Sequence, residues 1–216
     1  MPQKHHISPW RDTSHDQEMK VQMLGNVFWH RRNETAPRDV YEEKLTRFHQ
    51  VLDESHLAGF KGAVVARIAE APWFVENSEA YEEWYVLDGS NVIDELNEAA
   101  VSGARKEPHD QLARLAKDFR AGLYQLKMGP FTTVSGNTAT WLSKPAGTTY
   151  QSFYSTLSEY LAVSKGSLWR RQMVLGPTTE FCVTAADRVD LPATFNPNAI
   201  RRNIIWRGRR LTDNNF

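Results

Sequence analysis

Only one cysteine, Cys182, stands in 216 residues, so no internal disulfide can form, which fits a reducing compartment. Charge of neither sign is in excess. The 26 Lys and Arg balance the 26 Asp and Glu, leaving no global field to draw in nucleic acid or an anionic membrane. No apolar run approaches the ~20 residues of a membrane helix, and the opening MPQKHHISPWRDTSHD lacks the apolar centre of a secretory signal. The expectation is a soluble, cytoplasmic protein. Also missing are the GxGxxG and GxxxxGK(S/T) loops that cradle phosphates, and HExxH or CxxC spacings. Metal candidates reduce to His5-His6 in a polar arm and to His49 and His56, two turns apart on a helix that ends between them. These absences leave the reading "no metal site".

Aromatic residues, by contrast, are plentiful. Seven tryptophans and ten phenylalanines imply a bulky core, a ligand pocket or a large subunit interface. With 41% hydrophobic and 24% charged residues, composition is that of a folded globular chain.

Periodicity divides the chain. Residues 1–19 read as an N-terminal arm. From Lys20, KVQMLGNVFWHRR alternates as a strand, placing Asn26, Phe28 and His30 on one face and Val27 and Trp29 on the other. A helix follows from Asp39 to Ser55, with Tyr41, Leu45, Phe48 and Leu52 on one face. KGAVVARIAEAPWF and YEEWYVLDG read as strands, SNVIDELNEAA and EPHDQLARLAKDF as helices, and RAGLYQLKMG as a fourth strand. Residues 20–130 therefore spell β-α-β-β-α-β, the ferredoxin-like order. Residues 131–216 begin in the same way: the strand NTATWLSKP, the helix TYQSFYSTLSEYLAV, and the strand pair SLWRRQMVLG and TEFCVTA. The second helix of this half reads as short or missing, with RNIIWRG as a closing strand. An internal duplication with a truncated second repeat is inferred.

This element order resembles the dimeric α+β barrel superfamily in its fused two-repeat form, over about residues 20–207. The resemblance implies an α+β fold in which two ferredoxin-like sheets pack face to face, with a cavity between the sheets or between sheet and helices. It also implies monooxygenases, lactone isomerases, haem-binding enzymes or proteins without activity, so the fold selects no chemistry. Haem stays open as a cofactor, although no histidine after His109 offers the second half an axial ligand. Self-association is expected from the resemblance.

Candidate site residues come from strand parity. LWRRQMV puts Arg170 and Gln172 on one face and Trp169, Arg171 and Met173 on the other. Arg170 with Gln172 could grip an anionic or carbonyl ligand in the barrel. The competing reading is an ion pair with a carboxylate such as Glu180 or Glu83, because a buried guanidinium needs a partner, or an arginine near the rim that reaches solvent. His30, with Asn26 on its face, is the candidate general base, against a surface histidine at a strand end. Glu83 and Tyr85 share a face and form a candidate polar pair, against a solvated sheet face. Cys182, flanked by Phe181 and Val183, reads as an inert buried thiol. The segment IRRNIIWRGRR, with five arginines, reads as solvated or interfacial, and nucleic acid is not expected as a partner. The functional expectation is a protein that binds a small apolar or aromatic molecule, or transforms it without a cofactor, in an α+β barrel cavity. The alternatives are a structural or oligomeric protein with a filled barrel, and a haem-binding barrel.

Overall fold

The computed structural model describes residues 22–74, 78–175 and 178–212. The expected N-terminal arm and the turn at Pro177 lie outside these residues. In chain order the first half comprises β1 (Leu24–Arg32), α1 (Arg38–Asp53), β2 (Phe60–Ile68), β3 (Ala80–Leu87), α2 (Asn91–Ala100), α3 (Lys106–Ala113) and β4 (Ala116–Met128). The second half comprises β5 (Thr138–Leu142), α4 (Tyr150–Ser164), β6 (Ser167–Leu175), β7 (Phe181–Ala185) and β8 (Asn198–Arg207). Between β7 and β8 only a 3₁₀ turn, Ala193–Phe195, stands where a second helix would be.

The sheet order is the same in both halves: β4-β1-β3-β2 and β8-β5-β7-β6. Edge strand β2 pairs with β8 and edge strand β4 with β6, all antiparallel, so the eight strands close into one barrel. Closure leaves no edge strand open to another chain. The protein is thus α+β, with two ferredoxin-like halves forming a barrel and the second half short of one helix.

One helix boundary differs from the sequence expectation. The helix expected through Phe119 stops at Ala113, and β4 starts at Ala116. The reason is long-range pairing that local periodicity does not reveal: Ala116 and Lys117 pair with Arg32 and Arg31, and Arg120 with Trp29. A register shift between Trp29 and Arg31 accompanies Asp118 at φ 56, a left-handed conformation that aspartate tolerates better than most residues.

Strand parity assigns two cores. The inward residues of β1, β3, β5, β6 and β7 include Trp29, Trp84, Trp141, Trp169 and Cys182. With Tyr124 and Trp73 they fill the barrel. Their rings meet edge to face, Trp29 to Trp73 at 4.9 Å, Trp73 to Trp141 at 5.2 Å and Trp84 to Trp169 at 5.2 Å. Gly25 makes room for this packing, since a Cβ there would lie 2.8 Å from the Trp84 ring. Outside the barrel, Tyr41, Leu45, Phe48 and Leu52 of α1, Leu96 of α2 and Leu112 of α3 cover the first sheet. Phe153, Leu157 and Leu161 of α4 cover the second. Thr149 caps α4, its hydroxyl accepting the Ser152 amide at 3.1 Å. No helix among the described residues is long and apolar enough to cross a membrane.

One ion pair lies inside the barrel. Arg202 Nε sits 2.9 Å from Glu82 Oε1, and neither side chain reaches solvent. The contact is an ion pair and not an aligned hydrogen bond. Arg202 Nη1 donates to the carbonyls of Val134 and Gly136, and Glu82 accepts the indole N–H groups of Trp29 and Trp84 at 2.9 Å each. The tryptophans therefore supply donors as well as bulk. Arg202→Met strands the Glu82 charge and should destabilise the protein by about 3–5 kcal/mol. Adding Glu82→Leu should recover much of that loss. Urea unfolding at unchanged m-value measures both, and a single mutant no weaker than a surface control such as Arg188→Met would refute the role given to this pair.

Candidate functional site

A cavity of about 330 Å³ lies between the helix-facing side of β1 and β3 and the helices α1, α2 and α3. Its walls are mainly apolar, with Phe28, Phe48, Leu96, Leu112 and Phe119 among them. One cluster of polar side chains (His30, Tyr41, Glu83 and Tyr85) faces this apolar lining. Each is placed by an element already described. His30 follows inward-facing Trp29 and so points out of the barrel, Glu83 and Tyr85 alternate with Glu82 and Trp84, and Tyr41 stands on the buried face of α1.

The polar groups form one chain. The Tyr41 hydroxyl lies 2.7 Å from His30 Nδ1, and His30 Nε2 lies 2.5 Å from Glu83 Oε1. The Tyr85 hydroxyl donates to Glu83 Oε2 in a short bond, and its oxygen lies 2.9 Å from His49 Nε2. His49 Nδ1 in turn donates to the Leu45 carbonyl at 2.8 Å. His49 Nε2 also approaches Glu83 Oε2 at 3.3 Å. All five side chains are buried, with Glu83 and Tyr85 each 6% exposed.

Counting protons fixes how this chain is charged. Leaving aside the 3.3 Å approach of His49 to Glu83, five contacts need five hydrogens, and two phenols with two neutral imidazoles supply four. One further proton, shared among Glu83, His30 and His49, satisfies these five and brings the network to zero net charge. Because the Tyr85 hydroxyl donates to Glu83, its contact with His49 needs a hydrogen on Nε2. The alternative state places that proton on Glu83, with the Tyr85 hydroxyl turned to His49. The two states interconvert by moving two hydrogens and no heavy atom.

Electrostatics favour the first state. Burial alone would raise the Glu83 carboxyl, but the charges and hydrogen bonds of His30 and His49 outweigh it and hold the group well below the usual carboxylate range. Burial, reinforced by the Glu83 charge, pushes the Tyr85 and Tyr41 phenols far up. Tyr81, stacked on His30 at 5.6 Å, is pushed up to about 12 by burial and then by Glu42. The site is therefore a hydrogen-bonded chain whose central carboxylate is held in its ionised form.

Of the residues singled out in sequence, the structure brings together His30, Glu83 and Tyr85. Asn26 shares their face of β1, is partly buried and does not line the cavity. Arg170 and Gln172 lie elsewhere. Because Trp169 points into the barrel, its neighbour Arg170 points out beside α4, where it pairs with Glu180 at 3.1 Å and lies 4.2 Å over the Tyr150 ring. Gln172 is exposed. The charged side chains that occupy the interior are Glu82 and Arg202. Tyr41 and His49 joined the site unannounced. Tyr41 reads as a core residue on the stripe of α1, and the spacing from His49 to His56 draws the eye toward metal ligation and away from the sheet. The cue present in sequence is that His49 falls four residues after Leu45, on the same buried face.

Both nitrogens of His30 and both of His49 are engaged within the chain, so neither is placed as an axial haem ligand. His109 at the cavity wall has Nδ1 3.2 Å from Asp110. Among the described residues no cluster of three or more His, Cys, Asp or Glu side chains is placed to hold a metal ion.

No protein-family model matches the chain, and no curated protein matches it. Solved structures do match. A putative monooxygenase from Fusobacterium nucleatum superposes with a TM-score of 0.59 at 9% identity, covering 88% of this chain and 95% of that one. Another from Lactobacillus acidophilus gives a TM-score of 0.52 at 9% identity, covering 88% and 97%. A putative chlorite dismutase gives 0.49 at 12% identity, covering 89% and 98%. Likeness at this identity shows the fold alone, a closed antiparallel barrel of eight strands with ferredoxin-like halves.

Because the folded Glu83 carboxyl lies below its unfolded value of about 4.3, its contribution to stability is complete above that pH and is lost as pH falls toward the folded value. Glu83→Gln should destabilise the protein by about 1–3 kcal/mol at pH 7 and flatten the fall in stability between about pH 5 and 3. Denaturant titrations across that range test this, and an unchanged slope in the variant would remove Glu83 as the linked group.

Proposed function

We propose that the helix-side cavity binds a small apolar or aromatic molecule and that Glu83, with its histidine and tyrosine partners, carries out general acid–base chemistry on it. The single observation behind this reading is a buried carboxylate, bonded to His30 and Tyr85 and approached by His49, at the edge of a mainly apolar cavity. The cavity volume, about 330 Å³, is at the small end for ligand sites, which fits a one- or two-ring molecule.

The geometry supports the following chemistry. The Glu83–His30–His49 network accepts a proton from an acidic C–H or O–H of the bound molecule. The resulting anion lies beside the network that took its proton, so ligand and site together gain no net charge. The shift through Tyr85 can move a proton between Glu83 and His49. Such an anion can react further without a metal. That two of the similar folds are named as putative monooxygenases is compatible with this reading. Cytoplasmic location and self-association belong to the same proposal.

The structural alternative is favoured by one specific observation, the tryptophan packing that fills the space between the two sheets. It leaves the helix-side cavity unexplained. The test uses 2-tetralone, a two-ring ketone with acidic α-hydrogens. Exchange of those hydrogens into D₂O, followed by proton NMR, should be accelerated by the protein, and Glu83→Gln should reduce the acceleration by about 10²-fold or more. Leu96→Trp, which fills the cavity, should abolish it. Exchange no faster than in buffer, or equal in both variants, would leave the cavity without acid–base function.

A further inference from the structure

A second polar hollow lies at the seam where β2 meets β8. It encloses about 680 Å³ and is lined by Arg67 of β2, Arg201, Arg202 and Arg207 of β8, Arg38 of α1 and Glu79. The charges there do not balance. Arg38 pairs with Glu79 at 2.8 Å and Arg67 with Glu42 at 2.8 Å, while Arg202 is answered by Glu82 inside the barrel. Arg201 and Arg207 have no carboxylate partner among the described residues. Arg207 spends Nε and Nη2 on one acceptor, the Ser135 carbonyl, at 3.2 and 3.0 Å. Arg202, 2% exposed, keeps Nη2 without a hydrogen-bond partner. Burial first, and then the charge of Arg202, draw the Arg207 guanidinium below its ordinary value.

We propose that this hollow binds a phosphate group carried by a small molecule. Two uncompensated guanidinium groups match the charge of a phosphate dianion, and the planar fork of arginine suits its oxygens. A nucleic acid fits less well. Trp206, the aromatic residue of this arginine-rich segment, packs 5.5 Å from the His49 ring on the helix side and is not placed to stack a base in the hollow. This site is separate from the cavity at Glu83 and does not depend on its chemistry.

The experiment is calorimetric titration of the full chain with inorganic phosphate at pH 7.5, with chloride holding ionic strength constant. Saturable one-site binding is expected, and the double variant Arg201→Ala/Arg207→Ala should weaken it by about tenfold or more. Arg201→Ala alone, at an exposed side chain, keeps the test open if the double variant melts below the wild type. It too should weaken binding. Phenyl phosphate should bind at least as well as phosphate, whereas acetate at equal ionic strength should not saturate. Absence of saturable phosphate binding, equal binding by the variants, or binding of a single-stranded oligonucleotide without binding of free phosphate would each overturn the assignment.

Discussion

Barrel closure is the constraint from which the rest of the architecture follows. Once β2 pairs with β8 and β4 with β6, each strand has two neighbours and each side chain has one of two destinations, the inside or the helix layer. The inside must be filled to interior density, and this chain fills it with indoles. The helix layer then holds whatever the opposite parity provides.

Glu82 and Glu83 show how sharply this rule acts. Adjacent in sequence and alike in chemistry, they face opposite ways. Glu82 meets Arg202 and two indole N–H groups in a dry interior, where its charge is neutralised for good. Glu83 meets two imidazoles and a phenol beside a cavity, where hydrogen-bonding groups and not a guanidinium surround it. Neither carboxylate would be tolerated without its particular neighbours.

The sequence was readable where periodicity and burial agree. The element order, the missing second helix of the second half, and the shared face of Glu83 and Tyr85 all follow from alternation and helical spacing. It was unreadable where an outcome depends on pairing across long separations. The start of β4 was hidden because Lys117-Asp118-Phe119 join β1 through a bulge that helical spacing does not reveal. Arg170 was ambiguous because parity tells which residues share a face, not which face turns inward. That choice falls to Trp169, whose ring belongs with the other indoles. His49 was missed because its partners, Glu83 and Tyr85, stand 34 and 36 residues further along the chain.

The two halves share a strand order but differ in their outer layers. In the first half, α1, α2 and α3 arch over the sheet and leave a hollow beneath them. In the second half a lone α4 packs down through Phe153 onto Phe181 and Phe195, with ring centroids 4.7 and 5.1 Å away. A scaffold with near two-fold shape thus carries a one-sided hollow. On the reading proposed above, the Glu83 cavity takes a single guest per polypeptide.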